Sequence, residues 1–182
     1  MIHNAFLLPR RPDGWTADDV LALPEEQTLL QRIELVDGML LVSPWPGLEH
    51  QRILGKLQFA CAPALPVGAE SLPGANVRLT ARRLLTPDLV IVNCPGVDTA
   101  AYAASEVLLA AEIVSPSTKM QDRILKRAVY AEALIPFYLL VEPGDENIAT
   151  LFERQGEDYE PIAKSENGEL RLTRPFEATL RL

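Results

Sequence analysis

The sequence has little of what several protein classes require. Two cysteines, Cys61 and Cys94, and two histidines among 182 residues exclude a disulfide-built scaffold and a zinc finger, which need several Cys or His at set spacings. No apolar run approaches the roughly 20 residues of a membrane span. The two most apolar windows, Val107–Val114 and Pro136–Val141, are short, and Glu112 interrupts the first. Met1–Arg11 lacks the apolar stretch of a signal peptide, so a cytoplasmic location is expected. Positive charge is also scarce: 17 Lys and Arg face 25 Asp and Glu, a net charge of −8. A chain of that sign cannot coat nucleic acid or an anionic membrane by bulk attraction. Any polyanion it binds must be held by a local cationic patch or through a metal ion.

What is present points to one globular domain spanning residues 1–182. Hydrophobic residues make up 48% and charged residues 23%, which is ordinary usage for a folded chain and enough to bury a core without staples. Thr16 is a suitable N-cap for a short helix that ends by Pro24. Asp37-Gly38, between Ile33–Val36 and Met39–Val42, is the strongest hairpin signal in the chain. Gly47–Ala62 carries Leu48, Ile53, Leu54, Leu57 and Cys61 at helical spacing. Val77–Thr80, Pro87–Val92, Val107–Ser115 and Pro136–Val141 are expected as strands. A helix capped by Ser117 or Thr118 is predicted to run to about Ala133, with Ile124, Leu125, Ala128 and Val129 facing inward. From Asn147 onward, turn signals at Gln155-Gly156 and Asn167-Gly168 predict an antiparallel meander. This order implies an α/β or α+β fold with a mixed central sheet flanked by helices.

Three acids stand where folding alone would not place them. Glu112 lies inside Leu108–Val114, and an unpaired carboxylate buried there costs several kcal/mol or takes up a proton, on the order of the usual penalty for buried charge. Asp88 opens an apolar strand directly after Pro87, where it could equally cap a turn. Glu34 interrupts the first hairpin strand, where it could face water. Hard divalent cations suit converging carboxylates. Asp122, Lys126 and Tyr130 follow at intervals of four and so share a helix face. On an arbitrary helix Asp122–Lys126 is a solvated ion pair; following the Glu112 strand, it can lie over that strand's end.

Five segments in this order make the pattern specific. They are Ile33–Pro44 with His50 after it, Thr86–Val92, Ala111–Thr118, Asp122–Tyr130 and Ile135–Val141. Together they resemble the PD-(D/E)XK, restriction-endonuclease-like superfamily, and within it the small bacterial Uma-two family of endonucleases. The resemblance implies a magnesium site, with manganese able to substitute, and hydrolysis of nucleic-acid phosphodiester bonds, DNA more than RNA. It maps Asp88 and Glu112 to the metal-binding acids and Glu34 to an early glutamate completing the metal sphere. Val114 stands where the superfamily has its lysine, and Lys126 matches the displaced lysine of the Uma-two pattern. His50 is a possible accessory residue, read from the sequence as more in keeping with a local hydrogen bond at a helix start than with catalysis, and Asp122 is another. The alternative is an inactive adaptor or interaction module that keeps the scaffold.

A nuclease with one active site breaks both strands in one encounter only if two copies meet, and twofold symmetry is the commonest closed arrangement. A homodimer is therefore expected. Light scattering at high micromolar concentration checks this, and a monomer mass would refute it.

Overall fold

The computed structural model describes residues 8–24, 31–115 and 119–182. Helix α1 (Ala17–Leu21) opens with a capping box, in which Thr16 and Asp19 each bond the other's backbone N–H. Strands β1 (Gln31–Val36) and β2 (Met39–Pro44) form the expected hairpin. Asp37 and Gly38 both take positive φ, 50° and 83°, which is the backbone twist that a two-residue hairpin turn favours. Helix α2 (Leu48–Cys61) follows. Next come β3 (Glu70–Pro73), β4 (Val77–Thr80), β5 (Arg83–Leu85), β6 (Leu89–Val92), β7 (Tyr102–Ala103) and β8 (Val107–Ile113). A π-helical segment, Gln121–Lys126, runs into α3 (Arg127–Glu132). The chain ends with β9 (Phe137–Glu142), β10 (Ile148–Gln155), β11 (Asp158–Lys164), β12 (Glu169–Leu172) and β13 (Ala178–Arg181).

The strands form a six-stranded sheet, ordered β11-β10-β9-β8-β6-β3, a five-stranded sheet, ordered β2-β1-β5-β4-β7, and a β12-β13 ribbon. Both larger sheets are mixed: in the six-stranded one β8 and β9 run parallel around the helical crossover and the other pairs are antiparallel, and in the five-stranded one β4 and β7 are the parallel pair. Side chains alternate across it. Leu89, Ile91, Leu109 and Ala111 join Ile53, Leu57 and Cys61 of α2 on one face. Val90, Ala110 and Tyr138 join Val129 and Tyr130 of α3 on the other, together with Val36, Val77 and Leu85 of the smaller sheet. The site lies on this second face, between the two sheets and α3.

The caps read at Ser117 and Thr118 lie outside the described residues, and the structure adjusts three other readings. Ile124 is 60% exposed and Ala128 is exposed, whereas Asp122, Lys126, Val129 and Tyr130 are buried. Leu125 and Val129 do pack on the core, but Ile124 and Ala128 do not, because this helix also turns polar side chains inward. In α2, Leu48 is exposed and His50 is buried near the start of the helix. The tail divides, with β10-β11 extending the main sheet and β12-β13 standing as a separate ribbon.

A Cβ on Gly38 would come within 2.1 Å of the Arg82 guanidinium, and the residue's φ is +83°. Gly38→Ala is therefore expected to destabilise the fold by about 1–2 kcal/mol, the cost of left-handed backbone for an L-residue. A lower urea midpoint with an unchanged m-value would confirm it.

Candidate active site

The register of β6 against β8 sets the two central acids. Leu89 pairs with Ala111, so Asp88, one residue earlier, faces Glu112 across the ladder. Alternation puts both on the α3 side of the sheet. The Ile113 N–H reaches back to Asp88 Oδ2 at 2.7 Å, tying the end of one strand to the start of the other. Glu34 comes from β1 of the smaller sheet, with Oε1 accepting the Thr86 N–H at 2.9 Å. The early glutamate and the Thr86-Pro87-Asp88 turn are thereby fastened together.

Lys126 enters from above. Its Nζ lies 3.0 Å from Glu34 Oε2, 3.1 Å from Glu112 Oε1 and 3.4 Å from Asp122 Oδ1. Lys126 is 1% exposed, which replaces the solvated i,i+4 pair with a buried one. Burial alone would pull its pKa down, but Glu112, Glu34 and Asp122 more than reverse that and hold the ammonium charged. Tyr130 donates its hydroxyl to Glu112 Oε1 at 2.7 Å, and Tyr138 donates to the Asp122 carbonyl at 2.8 Å. The Asp122–Lys126–Tyr130 spacing seen in the sequence thus forms the roof of the site.

Asp88 has partners that sequence reading missed or misjudged. Arg32, two residues before Glu34 on β1, donates from Nη2 to Asp88 Oδ1 at 2.5 Å. His50 is no surface residue: its ring is buried, and Nε2 donates to Asp88 Oδ2 at 2.9 Å across 38 residues. Burial would raise the Asp88 pKa, but the His50 bond and the Arg32 charge hold it down at about 2. Arg32 could have been suspected from the period-two spacing that puts it on the same strand face as Glu34. The contact of His50 with Asp88 has no signal in local sequence.

The donor set fits a hard divalent cation. Among the described residues no three Asp, Glu, His or Cys side chains converge on one metal-sized point, but magnesium commonly takes one or two carboxylates and keeps water in its other positions. Two observations favour such an ion. Glu112 Oε2 is buried and has no hydrogen-bond partner among the described residues. Of the buried charged side chains, Glu34, Asp88, Glu112 and Asp122 outnumber Arg32 and Lys126 by two negative charges, His50 aside. The imbalance shows at Glu112: burial raises its pKa well above the usual value, Lys126 only partly offsets this, and the neighbouring acids add to it.

A cleft of about 660 Å³ opens beside His50, lined also by Gly47, Val114, Ser115, Lys119 and Arg123. Arg123 pairs with Glu142 on its rim. The first turn of α2 and these two cations face the same space, a setting suited to a phosphate.

Stability separates the roles of the buried charges. Lys126→Met strands three carboxylates and is expected to cost about 3–5 kcal/mol, the penalty for breaking a buried ion pair from one side. Glu112 behaves oppositely. Its folded-state pKa is raised, so ionising Glu112 costs more in the folded chain than in the unfolded one, and the residue gives up stability as pH rises through the range where the unfolded carboxylate ionises. Glu112→Gln should melt higher than wild type in chelated neutral buffer, by about 2–4 °C per kcal/mol relieved. Thermal melts check both, and a Lys126→Met midpoint equal to wild type would mean the ammonium is solvated.

Comparisons with known proteins bear on the fold and the family. No curated protein matches the sequence. A crystal structure described as "a putative nuclease belonging to DUF820", from Anabaena variabilis, superposes with a TM-score of 0.62 at 18% identity, covering 81% of this chain and 84% of that one. That likeness establishes the fold. The model of the Uma2 family, described as "Putative restriction endonuclease", matches residues 17–182, and the chain belongs to that family.

Proposed function

We propose that the protein is a magnesium-dependent endonuclease that hydrolyses phosphodiester bonds, with DNA as its expected substrate. The observation that carries this reading is the facing pair Asp88 and Glu112, buried beside a charged Lys126 with an unfilled Glu112 oxygen and net negative charge around it. Asp88 and Glu112 would hold the ion, and Glu34, whose oxygens bond the Thr86 N–H and Lys126, completes its surroundings. Bound magnesium supplies an acidified water and a counter-charge for the phosphorane. Lys126 is kept protonated by its three carboxylates and donates to the attacking water or to a phosphate oxygen. Ser115, Lys119 and the first turn of α2 border the route by which the phosphate enters.

A specific observation supports a second reading, that of a metal-free adaptor. Both Asp88 oxygens already have protein partners, and Glu112 is 0% exposed. The two readings separate in one pair of measurements: manganese calorimetry, and cleavage of single- and double-stranded DNA and of RNA with magnesium. The nuclease binds manganese and cleaves. Glu112→Gln should then lose most of its manganese affinity and cut the rate by about a hundredfold or more, the scale of losing one preorganised electrostatic contact. Lys119→Met should retain more activity than that. Absence of both binding and cleavage in the wild type would make the adaptor the better reading.

A further inference from the structure

Arg32 is a costly residue for a merely structural role. It is 9% exposed, its Nη2 donates to Asp88 Oδ1 at 2.5 Å, and its Nε has no hydrogen-bond partner among the described residues. A guanidinium cannot relieve its burial by releasing a proton. An N–H buried without a partner is a cost that the rest of the fold must offset.

The partners of Asp88 differ in how easily they yield. Oδ2 accepts the Ile113 N–H, which is part of the main sheet and cannot leave without disturbing the ladder, and His50, anchored in α2. Oδ1 is held by the end of one long side chain. That side chain also lines a second cleft of about 490 Å³, together with Gln31, Trp45, Asn76 and Thr86. This cleft gives the guanidinium room to turn away from Asp88. Asp88 is therefore saturated in the metal-free protein, and the guanidinium is its most readily displaced partner.

We propose that Arg32 is an internal counter-ion of Asp88 that a divalent cation displaces from Oδ1, so that the metal-free site is closed by the protein's own guanidinium. This rests on Asp88 being a metal ligand, as proposed above. Arg32 is then a positioning residue: it holds the Asp88 carboxylate in orientation until the ion arrives, at the cost of competing with it.

Competition and simple support predict opposite results. If Arg32 only props Asp88, removing it misplaces a ligand and weakens metal binding. If it competes, removing its charge strengthens binding. The test is manganese titration by calorimetry, with thermal melts in chelator and in manganese, on wild type, Arg32→Met and Arg32→Gln. The glutamine retains a donor for Asp88 without the charge, and it remains informative if the methionine variant fails to fold. Both variants should bind manganese about tenfold more tightly or better, the low end of what one neighbouring charge does to a carboxylate's affinity for a proton. They should melt lower than wild type in chelator and gain more from manganese; a variant that folds only with manganese counts the same way. Equal or weaker affinity in a folded variant would overturn the proposal while leaving the metal site standing. If all three chains ignore manganese, the metal site itself fails and the proposal falls with it.

Discussion

One ammonium group organises the site. Lys126 Nζ lies within ion-pair distance of Glu34, Glu112 and Asp122, which come from the smaller sheet, the larger sheet and the helical crossover. A charge buried this deeply is tolerable only with partners in place, so these three elements have little freedom relative to one another. Tyr130 and Tyr138 reinforce the same constraint, bonding Glu112 and the Asp122 carbonyl from within the aromatic core that also holds Phe152 and Tyr159. Core packing and charge pairing therefore act at one place. A protein that buries carboxylates this way gives up stability, as is common at functional sites.

The helical crossover shows how the backbone serves that constraint. Gln121–Lys126 is π-helical and becomes α-helical at Arg127. Wider turns of this kind recur at functional sites, where they alter which side chains a helix presents. Here Asp122 and Lys126 point to the sheet while Ile124 points to solvent. The crossover also connects β8 to its parallel neighbour β9, so it necessarily passes over the sheet face that carries Glu112.

Charge is distributed to match. The chain is acidic overall, with a net charge of −8, yet Lys119 and Arg123 line the cleft beside His50, and Arg32 and Lys126 are buried among the acids. Local cations of this sort hold an anion where bulk attraction is lacking. Val114, read from the sequence as standing at the superfamily's lysine position, is buried in the core and lines the cleft, while Lys126, approaching from the helix, brings its charge to Glu112 from another direction.

The sequence by itself determined the elements and the chemistry of the centre. Thr16 and Asp19 mark a cap by local hydrogen bonding, Asp37-Gly38 marks a hairpin by backbone conformation, and Glu112 is conspicuous because carboxylates do not belong in apolar strands. Each signal acts over a few residues and so is legible in order along the chain. Strands as short as Arg83–Leu85 and Tyr102–Ala103 were not, because two or three residues carry no period and exist as strands only through their neighbours. Nor could the sequence assign His50 or Arg32, whose contacts with Asp88 span 38 and 56 residues. Such contacts arise only when two sheets and a helix have packed. Tertiary structure alone decided which of the twenty-five acids share a cation, because a buried charge selects its partners by distance in space and not by spacing in the chain.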